Sequence, residues 1–206
     1  MPSRNVIKID VSDSYYHIYA RGHGRQVIFR EEDDYWVFLS LFKRYLSFEA
    51  VNDNYGAPYA HLRGSIELLC YCLMTNHFHM LVYQIDEGAM QRLMRGIMTS
   101  YSRYFNSKYD SSGSLFESRY KASRISNDAY LTHISRYIHL NPDDWRAYPY
   151  SSIHAYYGIG RPEWLQPERI VDLFASLPHY ADFLDDHEGY KESLLDVGQD
   201  MANTIL

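Results

Sequence analysis

Residues 66–83 read IELLCYCLMTNHFHMLVY, and this stretch decides the fold. Residues 66–73 form a continuous apolar run, which is typical of a central strand buried on both faces. Thr75 and Asn76 predict a short turn, and residues 77–83 predict a second, antiparallel strand. Side chains alternate along a strand, so His77 and His79 are expected on one face while Phe78 packs on the other. The stretch therefore predicts a β-hairpin that displays two imidazoles.

The sequence around this hairpin predicts two more strands and three helices. Strands are expected over residues 15–20, which a Gly-rich turn follows, and over residues 115–125. Helices are expected from residue 33, over residues 87–106, and after a cap at Ser126 or Asn127. Without the last helix, the order strand, helix, strand, strand, helix, strand is that of a ferredoxin-like fold. We expect an α/β protein of the α+β type, with helices packed on an antiparallel sheet and a C-terminal helical extension.

Length and composition are typical of one globular domain with an extension. The chain has 206 residues, of which 46% are apolar and 22% charged, and this composition excludes a disordered chain. We expect one domain over residues 1–150 and an acidic helical extension over residues 151–206. No apolar run approaches the roughly 18 residues that a membrane span needs. The only cysteines, Cys70 and Cys72, have neither zinc-site nor disulfide-framework spacing, which favours the cytoplasm.

The net charge of −6 conceals a basic segment. Residues 88–140 hold 8 Lys and Arg against 3 Asp and Glu, whereas residues 163–206 hold 2 against 10. Local charge, rather than the sum, decides whether a phosphate backbone is attracted. The distribution is compatible with a nucleic-acid partner, although ordinary solvated helix faces give the same pattern.

Two short motifs carry residues of chemical interest. Two histidines separated by one residue on a strand can hold a metal ion together. Tyr137 and Asn141 are four residues apart and are expected on one helix face, where a phenol can act as nucleophile and an amide oxygen as a third ligand. Taken alone, each motif is more typical of ordinary packing.

The two motifs together resemble a known family. Residues 74–82, MTNHFHMLV, are similar to the His-hydrophobe-His signature of single-tyrosine DNA transposases, and residues 137–142, YIHLNP, are similar to their nucleophile helix. Within that family the chain most resembles the REP-associated tyrosine transposases. Further matches follow in order at residues 21–22, 93–94, 101–106, 113–121, 151–152 and 156–157. The resemblance is dense over residues 12–160.

The resemblance implies a metal-dependent endonuclease and strand transferase that acts on single-stranded or hairpin DNA. Tyr137 would be the nucleophile and form a 5′-phosphotyrosine link, and His77, His79 and Asn141 would hold Mg²⁺ or Mn²⁺. Such an enzyme supports DNA transposition and recombination without a nucleotide cofactor, and is expected in the bacterial cytoplasm, on the nucleoid when bound to DNA. It would be a monomer or a homodimer.

Basic and aromatic side chains give candidates for DNA binding. The candidates are Arg21, Arg25, Arg92, Arg95, Arg103, Arg119, Tyr120, Lys121 and Arg124. Two other functions remain open at this point. One is a domesticated relative that binds structured DNA without cutting it, and the other is an unrelated metal-dependent phosphohydrolase that uses water as nucleophile.

Overall fold

The computed structural model describes residues 10–125 and 128–186. The bounds of its strands and helices are β1 Ser14–Arg21, α1 Glu32–Leu46, β2 Ile66–Met74, β3 His77–Gln84, α2 Ala89–Lys108, β4 Lys121–Ile125, α3 Asp128–His139, α4 Ile153–Tyr156, α5 Glu168–Val171 and α6 Leu177–Asp185. The predicted cap of α3, at Ser126 or Asn127, lies outside the described residues. None of the described helices combines the length and apolar composition that a transmembrane span requires.

The four strands form one antiparallel sheet with the order β2-β3-β1-β4. α1 connects β1 to β2, and α2 connects β3 to β4. This is the order and connectivity of a ferredoxin-like fold, so the predicted fold class is confirmed.

Alternating side chains of the strands face two separate cores. Ile18 of β1 and Phe78 of β3 are fully buried in the main core, with side chains of α1 and α2. Leu81 of β3 belongs to the second core, which α3 and the C-terminal extension complete. The sheet is therefore covered on both faces, and the second face is the one that carries the candidate site.

The buried residues of α1 and α2 recur at helical spacing, as the prediction of these two helices requires. Leu93, Ile97 and Tyr101 are fully buried along α2. Gly96 lies where α2 packs against α1. A Cβ at this position would come within 2.6 Å of the Tyr45 ring, so a side chain here would clash with α1. Asp34 is buried near the start of α1 and accepts the backbone N–H groups of residues 30 and 31, so its role is a specific cap rather than a general charge at the helix terminus.

The prediction that residues 66–73 form a central strand is wrong. β2 lies at one end of the sheet. Its free edge is covered by the extension, since Ser152 N–H donates to the carbonyl of Tyr71 and Gln166 N–H donates to the carbonyl of Leu68. The strand is apolar because both of its faces and its outer edge are buried.

The last strand is shorter than predicted. β4 begins at Lys121 rather than at residue 115, and before it only Phe116 forms an isolated bridge, to Gly22. Arg119 consequently lies in the segment that leads into the strand.

The extension packs into the second core. Ile153, Tyr156, Ile170 and Tyr180 are fully buried there, and Tyr156 donates a hydrogen bond to the carbonyl of Leu69 in β2. Over the described residues up to 186, the extension is thus the cover of the sheet's second face.

Candidate functional site

The candidate site lies where the end of β1 meets the start of β3. In the antiparallel register, Arg21 is opposite His77 and Tyr19 is opposite His79. Lys121 of β4 lies on the other side of Tyr19. Directly paired residues of neighbouring strands point to the same face. The two imidazoles, the phenol and the two cations therefore share one face, beside α3.

A tight turn after β1 supports the start of β3. Gly22 N–H donates to the carbonyl of Asn76 at 2.8 Å. A side chain at Gly22 would place its Cβ 2.2 Å from the carbonyl oxygen of Gln26, so this close approach requires glycine. The side-chain amide of Asn76 donates to the carbonyl of Arg25 at 3.3 Å, which leaves its Oδ1 directed at His77.

Both ring nitrogens of His77 face amide oxygens, which can only accept a hydrogen bond. The contact of Nδ1 with Asn76 Oδ1 is the shorter, at 2.7 Å, and favours the tautomer with the proton on Nδ1. Its Nε2 then has a free lone pair, and this nitrogen lies 3.2 Å from Asn141 Oδ1. Two acceptors that face each other at this distance form an arrangement that a bound cation would satisfy, so the residues present fit a divalent metal ion.

The second imidazole contacts a histidine of β1. His79 Nδ1 lies 3.0 Å from His17 Nε2, and both rings are 2% exposed and nearly parallel. In residues 10–125 and 128–186, no three His, Cys, Asp or Glu side chains form a group that could hold a metal ion. A metal site here therefore depends on His77, His79 and an amide oxygen, and His17 is a neighbour of the site.

Tyr137 comes to this face from α3. Its ring meets His79 edge-on with the centroids 5.2 Å apart, and it lies 6.0 Å from the His17 ring. Tyr137 and His79 border a cavity of about 130 Å³. The residues around it are Tyr19, Ala20, Arg21, Arg25, His77, His79, Glu117, Ser118, Lys121 and Tyr137.

The expectation that Tyr137 and Asn141 lie on one face of the same helix is wrong. α3 ends at His139, and Asn141 lies in the turn beyond it, directly before Pro142. Proline disfavours helical backbone in the residue before it, which explains why the helix has ended there. The turn nevertheless brings the amide of Asn141 to His77.

Burial keeps the site histidines neutral near pH 7. Desolvation lowers the pKa of His77 from 6.5 to about 4, with a further contribution from the nearby Arg21 cation. Desolvation also lowers the pKa of His17 to about 3 and that of His79 well below its ordinary value. Neutral imidazoles retain a lone pair, so protons do not compete with a metal ion for these nitrogens near pH 7.

The predicted DNA-binding side chains separate into groups. Arg21, Arg25 and Lys121 border the small cavity. Arg95, Arg103 and Arg119 line a larger groove of about 1280 Å³ between α2 and the segment before β4. Ser118 borders both cavities, so the two adjoin at this residue. Arg92 and Arg124 line neither, and Arg124 instead donates to Ser14 Oγ at 3.2 Å.

Tyr120 also lines the larger groove, but it differs from the basic candidates because it is only 5% exposed and belongs to the main core. Little of its ring is therefore open to a DNA base.

Sequence reasoning missed three residues of the site, namely His17, Tyr19 and Asn76. His17, Tyr19 and Arg21 alternate with the apolar Ile18 and Ala20, which places them on one face of β1. That alternation is visible in the sequence and could have identified His17 and Tyr19. The register that brings His17 to His79, rather than to another residue of β3, depends on tertiary pairing and is not visible in the chain.

The geometry can be compared with known proteins. The chain matches the family model for IS200-like transposases over residues 58–141. Over these residues the chain is similar to IS200-like transposases. The matched region contains β2, β3, α2, β4 and α3 together with Asn141, so the resemblance inferred from the sequence is confirmed. β1 and the extension lie outside the IS200-like region.

Among solved structures, the chain is similar to a REP-associated tyrosine transposase bound to a REP hairpin. The two share 13% identity with a TM-score of 0.49, and the similarity covers 77% of this chain and 88% of that chain. The comparison with curated proteins finds no match.

Proposed function

We propose that this protein is a DNA endonuclease and strand transferase of the REP-associated tyrosine transposase type, with Tyr137 as nucleophile. It would cut and rejoin single-stranded DNA next to a hairpin. The observation that carries the proposal is the meeting of Tyr137 of α3 with His77 and His79 of β3 at one cavity, where Asn141 from the turn after α3 contacts His77. The IS200-like match over the same residues supports it.

The reaction needs an activated phenol and a held phosphate. Tyr137 Oη would attack the scissile phosphorus, lose its proton to solvent, and form a 5′-phosphotyrosine bond as the bond to the 3′ oxygen breaks. The released 3′ oxygen takes up a proton. Attack by a second 3′-hydroxyl reverses the step and joins strands, so the bond energy is retained and no nucleotide cofactor is needed.

The protein's own groups would orient this step. His77, His79 and Asn141 are the proposed ligands of Mg²⁺ or Mn²⁺, and the two nitrogens favour Mn²⁺ at least as much as Mg²⁺. A metal ion held there supplies positive charge that polarises the phosphate and favours the phenolate of a tyrosine whose ordinary pKa is about 10. Arg21 and Lys121 border the same cavity, where they can hold phosphate oxygens.

The groove between α2 and the segment before β4 is the proposed path of the DNA strand. Arg95, Arg103 and Arg119 line it, and it adjoins the cavity of Tyr137 at Ser118. We divide the chain into a catalytic domain over residues 1–150 and an extension over residues 151–206 that supplies no catalytic group. A DNA substrate places the protein in the bacterial cytoplasm, on the nucleoid when bound, as a monomer or a homodimer.

The test is a covalent adduct on Tyr137. Full-length protein is incubated with hairpin oligonucleotides taken from the sequence that flanks its gene, with Mn²⁺, and the adduct is digested and located by mass spectrometry. We expect the nucleotide on the peptide that contains Tyr137. Tyr137→Phe should remove adduct and cleavage together while hairpin binding is retained.

Other outcomes distinguish the alternatives. Hairpin binding with neither adduct nor cleavage in the wild-type protein would favour the domesticated, non-cleaving protein. Cleavage without any adduct would favour water as nucleophile and a phosphohydrolase. The matched control is Tyr55→Phe, which changes a tyrosine that is 96% exposed and does not line the cavity.

A further inference from the structure

The buried histidine of β1 has no role in the proposed chemistry so far. His17 lies in the middle of β1, is 2% exposed, and contacts His79 with a nitrogen-to-nitrogen distance of 3.0 Å. A polar ring this deeply buried has a cost unless its nitrogens are satisfied. The question is therefore what the contact with His79 does.

The contact must contain one proton. Two neutral imidazole nitrogens at 3.0 Å form a hydrogen bond only when one carries the proton and the other offers its lone pair. If His17 donates, His79 holds its own proton on Nε2 and has no lone pair left for a ligand. If His79 Nδ1 donates, His79 Nε2 keeps a free lone pair.

The neighbouring imidazole indicates which arrangement suits this site. The shorter contact of His77, from Nδ1 to Asn76 Oδ1, favours a proton on Nδ1 and a free lone pair on Nε2, 3.2 Å from Asn141 Oδ1. Both imidazoles border the same cavity, and each has its Nδ1 engaged by a side chain that belongs to the supporting structure. Partners of this kind fix the tautomer and the ring orientation of metal-binding histidines.

We propose that His17 is the positioning residue of His79: its Nε2 accepts the Nδ1 proton of His79 and holds the ring in the tautomer that can bind a divalent metal ion. His17 then carries its own proton on Nδ1. The edge contact of the His17 ring with Tyr137 lets the same residue limit the tilt of the nucleophile's ring. This inference rests on the proposed metal site, and the experiments distinguish a failure of the inference from a failure of that site.

The direct test is nuclear magnetic resonance of metal-free wild-type protein with ¹⁵N-labelled histidine. Long-range ¹H–¹⁵N correlation spectra distinguish protonated from unprotonated ring nitrogens, and single-histidine variants assign the signals. At pH 7.5 we expect His79 to carry its proton on Nδ1 and His17 Nε2 to be unprotonated. A proton on His79 Nε2 in the wild-type protein overturns the inference.

The second measurement is the affinity for Mn²⁺ in the absence of DNA, which electron paramagnetic resonance detects. His17→Phe keeps a ring but offers no acceptor, and should weaken Mn²⁺ binding by about 10-fold or more. His17→Gln offers an amide oxygen as acceptor, and should restore the His79 tautomer and an affinity within about 3-fold of wild type. Wild-type affinity in His17→Phe would count against the inference.

His61→Phe is the matched control, because it makes the same change at another histidine. His61 Nε2 lies 2.8 Å from the carbonyl oxygen of Ser47, and His61 lines neither the small cavity nor the larger groove. This substitution should leave both the His79 tautomer and the Mn²⁺ affinity unchanged. Should wild-type protein take up no Mn²⁺, the proposed metal site fails, while the tautomer of His79 still decides the role of His17. Should His17→Phe not fold, the wild-type spectrum and His17→Gln decide it.

Discussion

His139 Nδ1 lies 2.6 Å from Tyr180 Oη, and this contact joins the helix of the proposed nucleophile to the C-terminal extension. The other nitrogen of His139 lies 2.7 Å from Ser152 Oγ, and Ser152 Oγ also receives the N–H of Tyr71 in β2. α3, the extension and the edge strand therefore meet at one buried imidazole. The extension holds α3 against the sheet and so helps to position Tyr137.

Removal of most of the extension should unfold the protein. Truncation after Gly160 deletes five buried side chains, namely Trp164, Leu165, Ile170, Tyr180 and Leu184. At about 2 kcal/mol for each side chain, their burial contributes roughly 10 kcal/mol, which is comparable to the whole stability of a typical domain. We expect aggregated or unfolded protein, as measured by circular dichroism and gel filtration.

The control for this truncation is a chain that ends at Asp186, since it retains all five side chains and the contacts of His139. This shorter chain should fold, and its adduct formation tests whether a catalytic group was missed. Soluble, folded protein from truncation after Gly160 would contradict the structural role of the extension.

Loss of one proposed metal ligand should stop cleavage while DNA binding is retained. His77→Ala removes the nitrogen that faces Asn141 Oδ1, so adduct formation should fall at least 100-fold, on the scale that metal assistance contributes to phosphoryl chemistry, about several kcal/mol. EDTA should have the same effect on wild-type protein, and Mn²⁺ should reverse it. Cleavage by His77→Ala at the wild-type rate in Mn²⁺ would show that the metal assignment is wrong.

His179→Ala is the matched control for this prediction. It removes another histidine of the same chain, which is exposed and bonded to Ser176 Oγ in the extension. Its adduct formation and its response to EDTA should equal those of the wild-type protein.

Loss of arginines from the groove and loss of arginines elsewhere should have different effects on the salt dependence of DNA binding. Arg95→Ala with Arg103→Ala removes two cations from the groove, so the slope of log K against log salt should become shallower by about 1.4 for single-stranded DNA. Arg92→Ala with Arg124→Ala removes the same charge from positions that line neither cavity, and should leave the slope nearly unchanged. Equal slopes for the two variants would place the DNA elsewhere.

The sequence carried the order of elements and the identity of the motif residues, because periodic patterns report which face of a strand or helix is buried. Phe38 and Leu93 could be assigned to the core in this way. The edge position of β2 could not be predicted, because an apolar run looks the same whether another strand or the extension covers its edge. The pairing of His17 with His79 depends on strand register, and the placement of Asn141 depends on the turn after α3, so neither follows from local pattern.

Buried neutral histidines should make the protein lose stability on mild acidification. The pKa of His17 is lowered by burial from 6.5 to about 3, and that of His139 is likewise lowered to about 3. Below pH 6.5 the unfolded chain binds protons that the folded chain does not, so this stability is fully present above pH 6.5 and is lost as the pH falls toward 3. Each such histidine contributes a slope of up to about 1.4 kcal/mol per pH unit.

Urea unfolding at pH 7.0, 6.0 and 5.0 measures this slope. His17→Gln has one titrating histidine fewer and keeps every carboxylate, so its free energy of unfolding should fall less steeply than that of the wild-type protein between pH 6.0 and 5.0. Mn²⁺ binding should change little down to pH 5.5, because the pKa of His77 in the folded protein is about 4 and its nitrogen stays free of protons at that pH. Parallel slopes in the two proteins would mean that His17 is already protonated in the fold, contrary to its burial.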